Sequence, residues 1–256
     1  MKYFCYCFLL ITILFNFSLA KNGKLNVAVF IEPPYVDLVE NKLVGENIDI
    51  INLLADAIGL KPVFIQCPFV RCLAMIKSGQ ADMLLGLSKS ADREKDVIFL
   101  NPPHSIQHQP LHFFTLKGSS LRIDNFSDLN ALLVGTLRGA VYFPLFDENQ
   151  MIKKAALTSR KQLVSMLLKG RIDTFLEREE SVLPLLSTAE YQSKLTIADY
   201  QYNKTINSYI AISKHSKAKR FANKLSQVLA KSLSDGTIEK IRMENQEKYQ
   251  GKPTTK

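Results

Sequence analysis

The chain has 256 residues, a formal net charge of +9 and 22% charged residues. Its basic residues are scattered, with local excesses in "SKHSKAKR" and "EKYQGKPTTK", and no run of aromatic residues alternates with them as in a groove for single-stranded nucleic acid. This distribution argues against nucleic acid as a partner and indicates a solvated basic surface.

The segment "MKYFCYCFLLITILFNFSLA" is predicted to be a cleaved secretory signal. Lys2 precedes an apolar run from Tyr3 to Phe15, and the small residues near Ala20 suit a signal peptidase. The run is shorter than the ~20 apolar residues that a membrane-spanning helix needs. We therefore expect export to the periplasm, with residues 1–20 removed.

The first part of the mature chain alternates strands and helices. "KLNVAVF" predicts a strand that Pro33 and Pro34 end, and "NIDIINLLADAIGL" has apolar residues at helical spacing before Gly59. "KPVFIQ" predicts a strand, "FVRCLAMIKSG" a helix and "ADMLLGL" a further strand. This order favours parallel strand pairing with crossover helices, and hence a three-layer α/β lobe.

Cys67 and Cys72 are the cysteines that remain once the signal segment is removed. In an oxidising compartment, two cysteines this close in sequence are candidates for a disulfide. Two buried free thiols are the alternative, because Pro68 and a helix start could hold the Cα atoms too far apart. Two thiols without a neighbouring histidine do not predict a zinc site.

The strand and helix pattern starts again after Asn125. "ALLVGTL" predicts a strand, "RGAVYFP" a turn into a short helix, "SRKQLVSMLLKG" a helix with Ser159 as its N-cap, and "IDTFLE" a strand. "NSYIAIS" predicts a late strand, and the helices after it are expected to complete the first lobe. The expected division is 21–114 with 205–256 for the first lobe, and 115–204 for the second.

Two α/β lobes joined by extended crossings leave a cleft between them. Ligands of open α/β sheets bind outside the carboxyl ends of the strands. Candidate binding residues should therefore lie within 32–35, 88–93, 138–141 and 177–180.

Segments around these strand ends resemble the family 3 extracellular solute-binding proteins, the periplasmic receptors of polar amino-acid ABC importers. They are "PPYV", "LVGENIDIINLLADAIGL", "IKSGQADMLLGLSKSADREKDVIFLNPPH", "VGTLRGAVY" and "LLKGRIDTFLE". The resemblance covers nearly the whole mature chain. It implies an α/β, two-lobed periplasmic binding protein fold of type II, in which each lobe is a mixed β-sheet flanked by helices and the ligand cleft lies between the lobes.

The resemblance also implies residues that bind a ligand carboxylate. Ser88 and Arg93 match the family's hydroxyl-bearing turn and the arginine that follows it, and a guanidinium can hold a carboxylate in two parallel hydrogen bonds. The alternatives are a bare strand-end hydroxyl and a surface arginine paired with a neighbouring acid. In the second lobe, the amides of Ala140 and Val141 stand where the family has a helix-opening turn that meets the carboxylate.

Three more residues are implied by the resemblance. Tyr35 matches an aromatic wall of the family's cleft, with core packing as the alternative, and Glu32 lies where several members place another wall. Arg71, preceded by Phe69, resembles an aromatic-x-Arg variant of the family. Arg71 either faces the cleft or lies on the surface at a helix start.

The largest departure from the family is at the end of the strand in "RIDTFLEREE". The family places there an aspartate that pairs with the α-ammonium group of the ligand, and the matching residue is Arg178, which would repel an ammonium. A one-residue bulge could turn Glu177 or Glu179 inward, or the cluster could be a solvated helix start. A dicarboxylate or small polyanion and a cationic or zwitterionic ligand are both consistent with these charges.

The function that the resemblance implies is capture of a small polar or charged solute by hinge closure, and its delivery to the membrane permease of an ABC importer. We expect a monomer. One alternative is a periplasmic ligand sensor for a signalling receptor. Another is an enzyme of the same fold, such as a dehydratase that uses Glu32 with Glu177 or Glu179 as acid and base.

Motifs for catalysis are absent from the sequence. It contains no Gly-x-Ser-x-Gly elbow, no His-Glu-x-x-His and no phosphate-binding glycine loop. His104, His108 and His112 have the spacing of ligands on a helix, but Pro110 lies among them and favours an extended segment. We therefore expect no enzymatic activity, no metal and no cofactor.

Overall fold

The computed structural model describes residues 23–186, 191 and 193–250, and the predicted signal segment lies outside these residues. The strands are Gly23–Val29 (β1), Asp37–Val39 (β2), Lys42–Val44 (β3), Leu60–Gln66 (β4), Met83–Leu87 (β5), Val97–Phe99 (β6), Ser105–Gln107 (β7), Leu111–Leu116 (β8), Leu133–Leu137 (β9), Lys153–Leu157 (β10), Thr174–Arg178 (β11), Leu195–Tyr202 (β12) and Ile206–Ser213 (β13).

The α-helices are Glu46–Ala57 (α1), Phe69–Ser78 (α2), Ala91–Glu94 (α3), Pro144–Asp147 (α4), Arg160–Leu168 (α5), Glu179–Leu186 (α6), Ala222–Ser234 (α7) and Thr237–Gln250 (α8). Short 3-10 helices cover Phe126–Ala131 and Lys217–Phe221. In the described part of the chain, no helix has both the length and the apolar character needed to cross a bilayer.

Two mixed sheets organise the described residues into two α/β lobes, as expected. The first sheet has the order β4-β1-β5-β13-β6, with β7 also paired to β13, and the second has the order β10-β9-β11-β8-β12. In each sheet the first three strands are parallel, and the last two join antiparallel. The parallel pairs require crossover connections, and α1, α2, α4 and α5 lie in them.

The crossing from the first lobe to the second lies earlier than the sequence predicts. β8 pairs with β11 and β12 along its length, so it belongs entirely to the second sheet, although the predicted boundary falls after residue 114. The chain therefore crosses between Gln107 and Leu111 and returns between Tyr202 and Ile206. The predicted boundary at 204/205 falls inside the return crossing.

Alternation along the strands gives each sheet an apolar cluster on both faces. In β1, Val27 packs on one side with α1 and α7, while Ala28 packs on the other side with α2. In β11, Phe175 faces the cluster of α5, and Leu176 faces the cluster that contains Phe143 and Phe146. Successive residues of a strand therefore reach opposite layers, and this continues to the end of β11.

Cys67 and Cys72 form a disulfide, the pairing that the sequence left open. Their Cα atoms are 5.5 Å apart, within the range that a disulfide spans. The bond closes the turn between β4 and α2, and Pro68 is the N-cap of that helix. It thereby fixes the start of α2 at the mouth of the space between the lobes.

Candidate functional site between the lobes

A cavity of about 90 Å³ lies between the lobes, at the carboxyl ends of their parallel strands. Charged, polar and aromatic residues of both lobes line it, including Phe30, Glu32, Tyr35, Glu46, Asn47, Phe69, Ser88, Arg93, His104, Ala140, Val141, Tyr142, Arg160, Glu177, Arg178 and Ser208. A wider cavity of about 740 Å³ adjoins it and shares Ser88, Ala140 and Val141. All but one of the predicted ligand-binding residues meet here.

Arg93 links the two lobes across this cavity. Its Nη1 donates to the carbonyl oxygen of Ser88 at 2.6 Å, and its Nη2 donates to the carbonyl oxygen of Gly139, in the second lobe, at 2.8 Å. The side chain is buried at the start of α3, and burial lowers the pKa of Arg93 to about 10 although Asp147 and Asp92 oppose the shift. Arg93 is therefore a buried cation in the cleft, and not a surface arginine.

Gly139 permits the close approach of the second lobe to α2. Its φ of +80° lies in the left-handed region, and a Cβ at this position would come within 2.8 Å of Leu73. A residue with a side chain would therefore be strained and would push against the opposite lobe. The same turn exposes the carbonyl that Arg93 contacts.

Arg160, which the sequence analysis did not select, bridges two predicted carboxylates. Its Nη2 donates to Glu32 Oε1 of the first lobe at 2.6 Å. Its Nε lies 3.3 Å from Glu177 Oε1, close enough for an ion pair but poorly aligned for a hydrogen bond. Glu177 is 4% exposed. Arg160 is therefore the central cation of a triad that spans the cleft, in which Glu177 is buried and Arg160 and Glu32 are half-buried.

Burial and charge act in opposite directions within this triad. Burial raises the pKa of Glu177, and the positive charge of Arg160 only partly offsets that effect. Burial lowers the pKa of Arg160, but the charges of Glu177 and Glu32 together raise it above its ordinary value. Arg160 is therefore a fixed cation at every physiological pH.

The end of β11 brings both Glu177 and Arg178 to the cavity without a bulge. The ladder with β8 runs without a shift from Phe175 to Arg178, so the bulge considered for this strand is wrong. Glu177 follows Phe175 toward the α5 layer, where it meets Arg160, and Arg178 lies on the other face. Glu179 begins α6 and is exposed, so it does not take the place of Glu177.

Arg178 has two buried nitrogen atoms without a partner. Among the described residues, its Nε and Nη2 have no hydrogen-bond acceptor, although the side chain lines the cavity. Buried polar groups are normally hydrogen-bonded, so such atoms indicate a missing partner. This is the position where the resemblance implied an aspartate.

Tyr35 makes a third contact between the lobes. Its hydroxyl donates to Glu180 Oε1, on α6 of the second lobe, at 2.8 Å. Burial raises the pKa of Tyr35, and the charge of Glu180 adds to the shift. Gly45 packs against the backbone of Tyr35 and has a φ of +122°. A Cβ at this position would lie 2.4 Å from the Tyr35 carbonyl oxygen, so only glycine leaves room for it. Tyr35 is thus a wall of the cleft, as the resemblance implied.

Two expectations about the site are wrong. Arg71 is exposed on α2 and is not among the residues that line the cavity. Ala140 and Val141 line the cavity, but they do not begin a helix, because α4 starts at Pro144 and the Ala140 amide donates to the Leu137 carbonyl. The second lobe therefore offers a turn here in place of a helix N-terminus.

The histidine trio is separated in the structure, and it forms no ligand set. His104 is buried in the cavity wall, His108 is exposed and His112 lies in β8. In the described part of the chain, no cluster of three metal-ligating side chains is found. Glu46, also in the cavity wall, has Arg242 Nε 3.9 Å from its Oε1, and burial raises the pKa of Glu46.

His104 should make the stability of the protein depend on pH. Burial lowers the pKa of His104 to about 4, with the charge of Arg242 acting in the same direction. Because the folded-state value lies below the unfolded value of about 6.5, its contribution is full above pH 6.5 and is lost as the pH falls through 4. Between pH 7 and pH 4, the parent should lose about 3 kcal/mol more free energy of unfolding than His104→Gln.

Urea unfolding at a series of pH values measures this difference. The exposed His108→Gln is the matched control and should follow the parent at every pH. Equal pH slopes for the parent and His104→Gln would show that His104 is not buried in its neutral form.

The chain is similar to known proteins in sequence pattern and in fold. The model of the bacterial extracellular solute-binding proteins, family 3, matches residues 25–250. No curated protein sequence matches the chain. The family match thus spans both lobes and every residue of the cavity.

Solved structures share the arrangement of the two lobes. An amino acid ABC transporter substrate-binding protein from Streptococcus pneumoniae, bound to L-arginine, has a TM-score of 0.70 at 22% identity over 87% of this chain and 94% of that one. A Salmonella typhimurium periplasmic binding protein with high arginine specificity has a TM-score of 0.67 at 19% identity over 87% and 98%. A histidine kinase sensor domain similar to periplasmic binding proteins has a TM-score of 0.72 at 19% identity over 88% and 96%. At these identities the likeness establishes the fold.

Proposed function

Because the chain belongs to the bacterial extracellular solute-binding proteins of family 3, we propose that it is exported, closes its two lobes on a small polar or charged solute, and delivers that solute to the permease of an ABC importer. The solute would lie in the cavity that both lobes line. The amino acid ABC transporter substrate-binding protein and the periplasmic binding protein of similar fold support this assignment.

One observation carries the proposal: the polar contacts between the lobes converge on the cavity. Arg93 with Gly139, Arg160 with Glu32, and Tyr35 with Glu180 each join a group of the first lobe to one of the second. A solute that touches both lobes would stabilise the same closed arrangement. Its differential affinity for the closed form would then shift the population toward the state that a permease can recognise.

The geometry favours binding over catalysis by the cavity carboxylates. Glu32 and Glu177 are both paired with Arg160, so neither is free to act as the acid or the base of a dehydratase. The cavity is thus equipped to hold a charged solute without changing it.

Identification of the solute that the mature protein retains from a small-molecule extract tests the proposal. The protein, residues 21–256, would be incubated with a bacterial small-molecule extract, separated from unbound molecules and denatured, and the released solute identified by mass spectrometry. We expect one solute class, released unchanged at one molecule per chain, which raises the thermal-unfolding midpoint when added back. No retained solute, or a solute converted to product, would contradict the proposal.

Tyr35→Phe should weaken solute binding because it makes the closed form of the two lobes less stable. The substitution removes the hydroxyl that donates to Glu180 and keeps the ring that lines the cavity. Loss of one hydrogen bond, worth about 1 kcal/mol, should reduce the closed population and lower the apparent affinity about 5-fold. Titration calorimetry with the identified solute measures the change.

Glu180→Met provides the partner test, because Tyr35 and Glu180 belong to different lobes and methionine keeps the length of the side chain without an oxygen that could accept the hydrogen bond. If closure is the cause, the double variant should bind about as weakly as either single variant. Additive losses would show that Tyr35 contacts the solute directly and does not act through Glu180.

A further inference from the structure

The carboxylates that line the cavity are already paired with cations of the protein. Glu32 and Glu177 share Arg160, with N–O distances of 2.6 and 3.3 Å. Glu46 lies 3.9 Å from Arg242. A cationic solute group would therefore have to displace a guanidinium that the protein itself supplies.

The other cavity cations have no such partner. In the described part of the chain, neither Arg93 nor Arg178 forms an ion pair with a carboxylate, and Arg93 donates only to the carbonyl oxygens of Ser88 and Gly139. Each terminal nitrogen of a guanidinium carries two hydrogens, so Arg93 still has donors to offer after these bonds. The unpaired positive charges thus face the cavity from opposite lobes.

The unpartnered atoms of Arg178 have the arrangement that a carboxylate requires. Nε and Nη2 lie on one side of the guanidinium, and together they form the side-on fork that binds both oxygens of a carboxylate. Both atoms are buried and without an acceptor among the described residues. Two adjacent donors without an acceptor, on a side chain that lines the cavity, favour a bidentate acid over a single hydroxyl or carbonyl.

An α-ammonium group has no suitable place at this end of the cavity. Arg178 would repel it, and the nearest carboxylate along the strand, Glu177, is paired with Arg160. The charge on the solute that complements Arg93 and Arg178 is therefore negative at both ends.

We infer, on the basis of the proposed function, that the solute is a small dicarboxylate. Arg93 of the first lobe binds one of its acidic groups and Arg178 of the second lobe binds the other, and no α-amino group is required. Arg160 acts as a built-in cation that fills the space where the side chain of a basic solute would otherwise meet Glu32 and Glu177. The two acidic groups of one solute tie the lobes together, which couples recognition to closure.

The inference is tested by titration calorimetry with a panel of solutes. The panel contains four- and five-carbon dicarboxylates with and without an α-amino group, the monocarboxylates of equal length, and basic amino acids. A dicarboxylate without an amino group should bind at least as tightly as its amino counterpart. The monocarboxylates should bind about 10-fold or more weakly, because each loses one charge-assisted hydrogen-bonded pair.

Variants of Arg178 test whether this residue binds the second acidic group of the solute. Arg178→Asp and the milder Arg178→Gln should each lower dicarboxylate affinity about 30-fold or more. Arg171→Asp, an exposed arginine of the same lobe, is the matched control and should bind like the parent. Circular dichroism and thermal unfolding verify the fold of each variant, and Arg178→Gln decides if Arg178→Asp does not fold.

The possible outcomes distinguish failure of the dicarboxylate inference from failure of the proposed binding function. Tighter binding of a basic amino acid or a monocarboxylate, or unchanged affinity in Arg178→Gln, would overturn the dicarboxylate inference. A solute of another class recovered from the extract would also overturn it, while leaving solute capture in place. If neither the panel nor the extract contains a binding solute, the inference and the proposed function both fail.

Discussion

Arg160→Met is expected to lower the free energy of unfolding by about 3–5 kcal/mol, because it leaves a buried carboxylate without its counter-ion. Glu177 is 4% exposed, and Arg160 is its ion-pair partner at 3.3 Å. Methionine keeps much of the aliphatic volume, so the loss reports the charge more than the packing. Urea unfolding at pH 7 measures the change, and the thermal midpoint should fall by roughly 6–20 °C.

The double variant Arg160→Met with Glu177→Gln should recover much of this loss, because it removes the buried charge of Glu177, and the carboxylate that still lacks its counter-ion, Glu32, has a side chain 20% exposed to solvent. The matched control is Arg71→Met, an exposed arginine in the first turn of α2, which should change stability by less than about 0.5 kcal/mol. A loss below about 1 kcal/mol in Arg160→Met, or no recovery in the double variant, would show that Glu177 does not depend on Arg160.

The deficit of Arg160→Met should also shrink in acid. Burial raises the pKa of Glu177, so the protonated carboxyl favours the folded state. A raised value gives a stabilising contribution that is full below the unfolded pKa and is lost as the pH rises through the folded pKa. Without Arg160, the carboxyl can be neutralised by a proton, and the variant should approach the parent as the pH is lowered from 7.

Arg93→Met is expected to lower solute affinity by about 3 kcal/mol, roughly 100-fold, if Arg93 binds an acidic group in the closed cleft. Arg93 is 5% exposed, and its guanidinium is positioned by the Ser88 carbonyl. Removing a desolvated charge leaves the solute carboxylate unpaired, which costs more than the loss of an exposed pair. Titration calorimetry with the solute identified from the extract measures the change.

Arg93→Lys separates the geometry of the guanidinium from its charge, and Lys95→Met is the matched control. The lysine variant keeps the positive charge but loses the planar fork, and it should recover only part of the affinity. Lys95 is exposed two residues further along, and its replacement should leave binding unchanged. Parent-like affinity in Arg93→Met would place the solute carboxylate elsewhere.

Much of the site could be predicted from the rule that ligands bind at the carboxyl ends of parallel strands. Glu32, Tyr35, Ser88, Glu177 and Arg178 follow predicted strands or end one, and the structure brings all of them to one cavity. The apolar patterns of these strands are strong, so their ends could be located.

Arg160 was missed because the strand before it has a weak pattern. β10 reads "KKAAL", with alanines of low β-propensity and two lysines, so no strand end was expected at Leu157. Ser159 was correctly predicted as the N-cap of α5, and its side chain accepts from the Gln162 amide. A strand end placed directly before this cap would have selected Arg160.

Helix geometry explains why Arg71 was placed wrongly. Phe69 lines the cavity and packs edge-on against Phe30, with ring centroids 4.8 Å apart. At about 100° per residue, a side chain two positions later points to the opposite side of the helix. Once Phe69 faces the cleft, Arg71 must face solvent.

Ala140 and Val141 show a limit of matching a turn by its position in a motif. The residues reach the cavity, but Pro144 takes the first position of α4, as proline often does, and sets the helix start after them. The amides of a short turn are then used locally, as the Ala140 bond to Leu137 shows.

The distance between the lobes, with and without solute, tests lobe closure most directly. Spin labels at Gln66 and Lys161, exposed residues that line one surface groove from opposite lobes, would report it by electron–electron double resonance. We predict a broad or longer distance distribution without solute, and a single short distance at saturating solute. An unchanged distribution, under conditions where calorimetry reports binding, would contradict capture by closure of the two lobes.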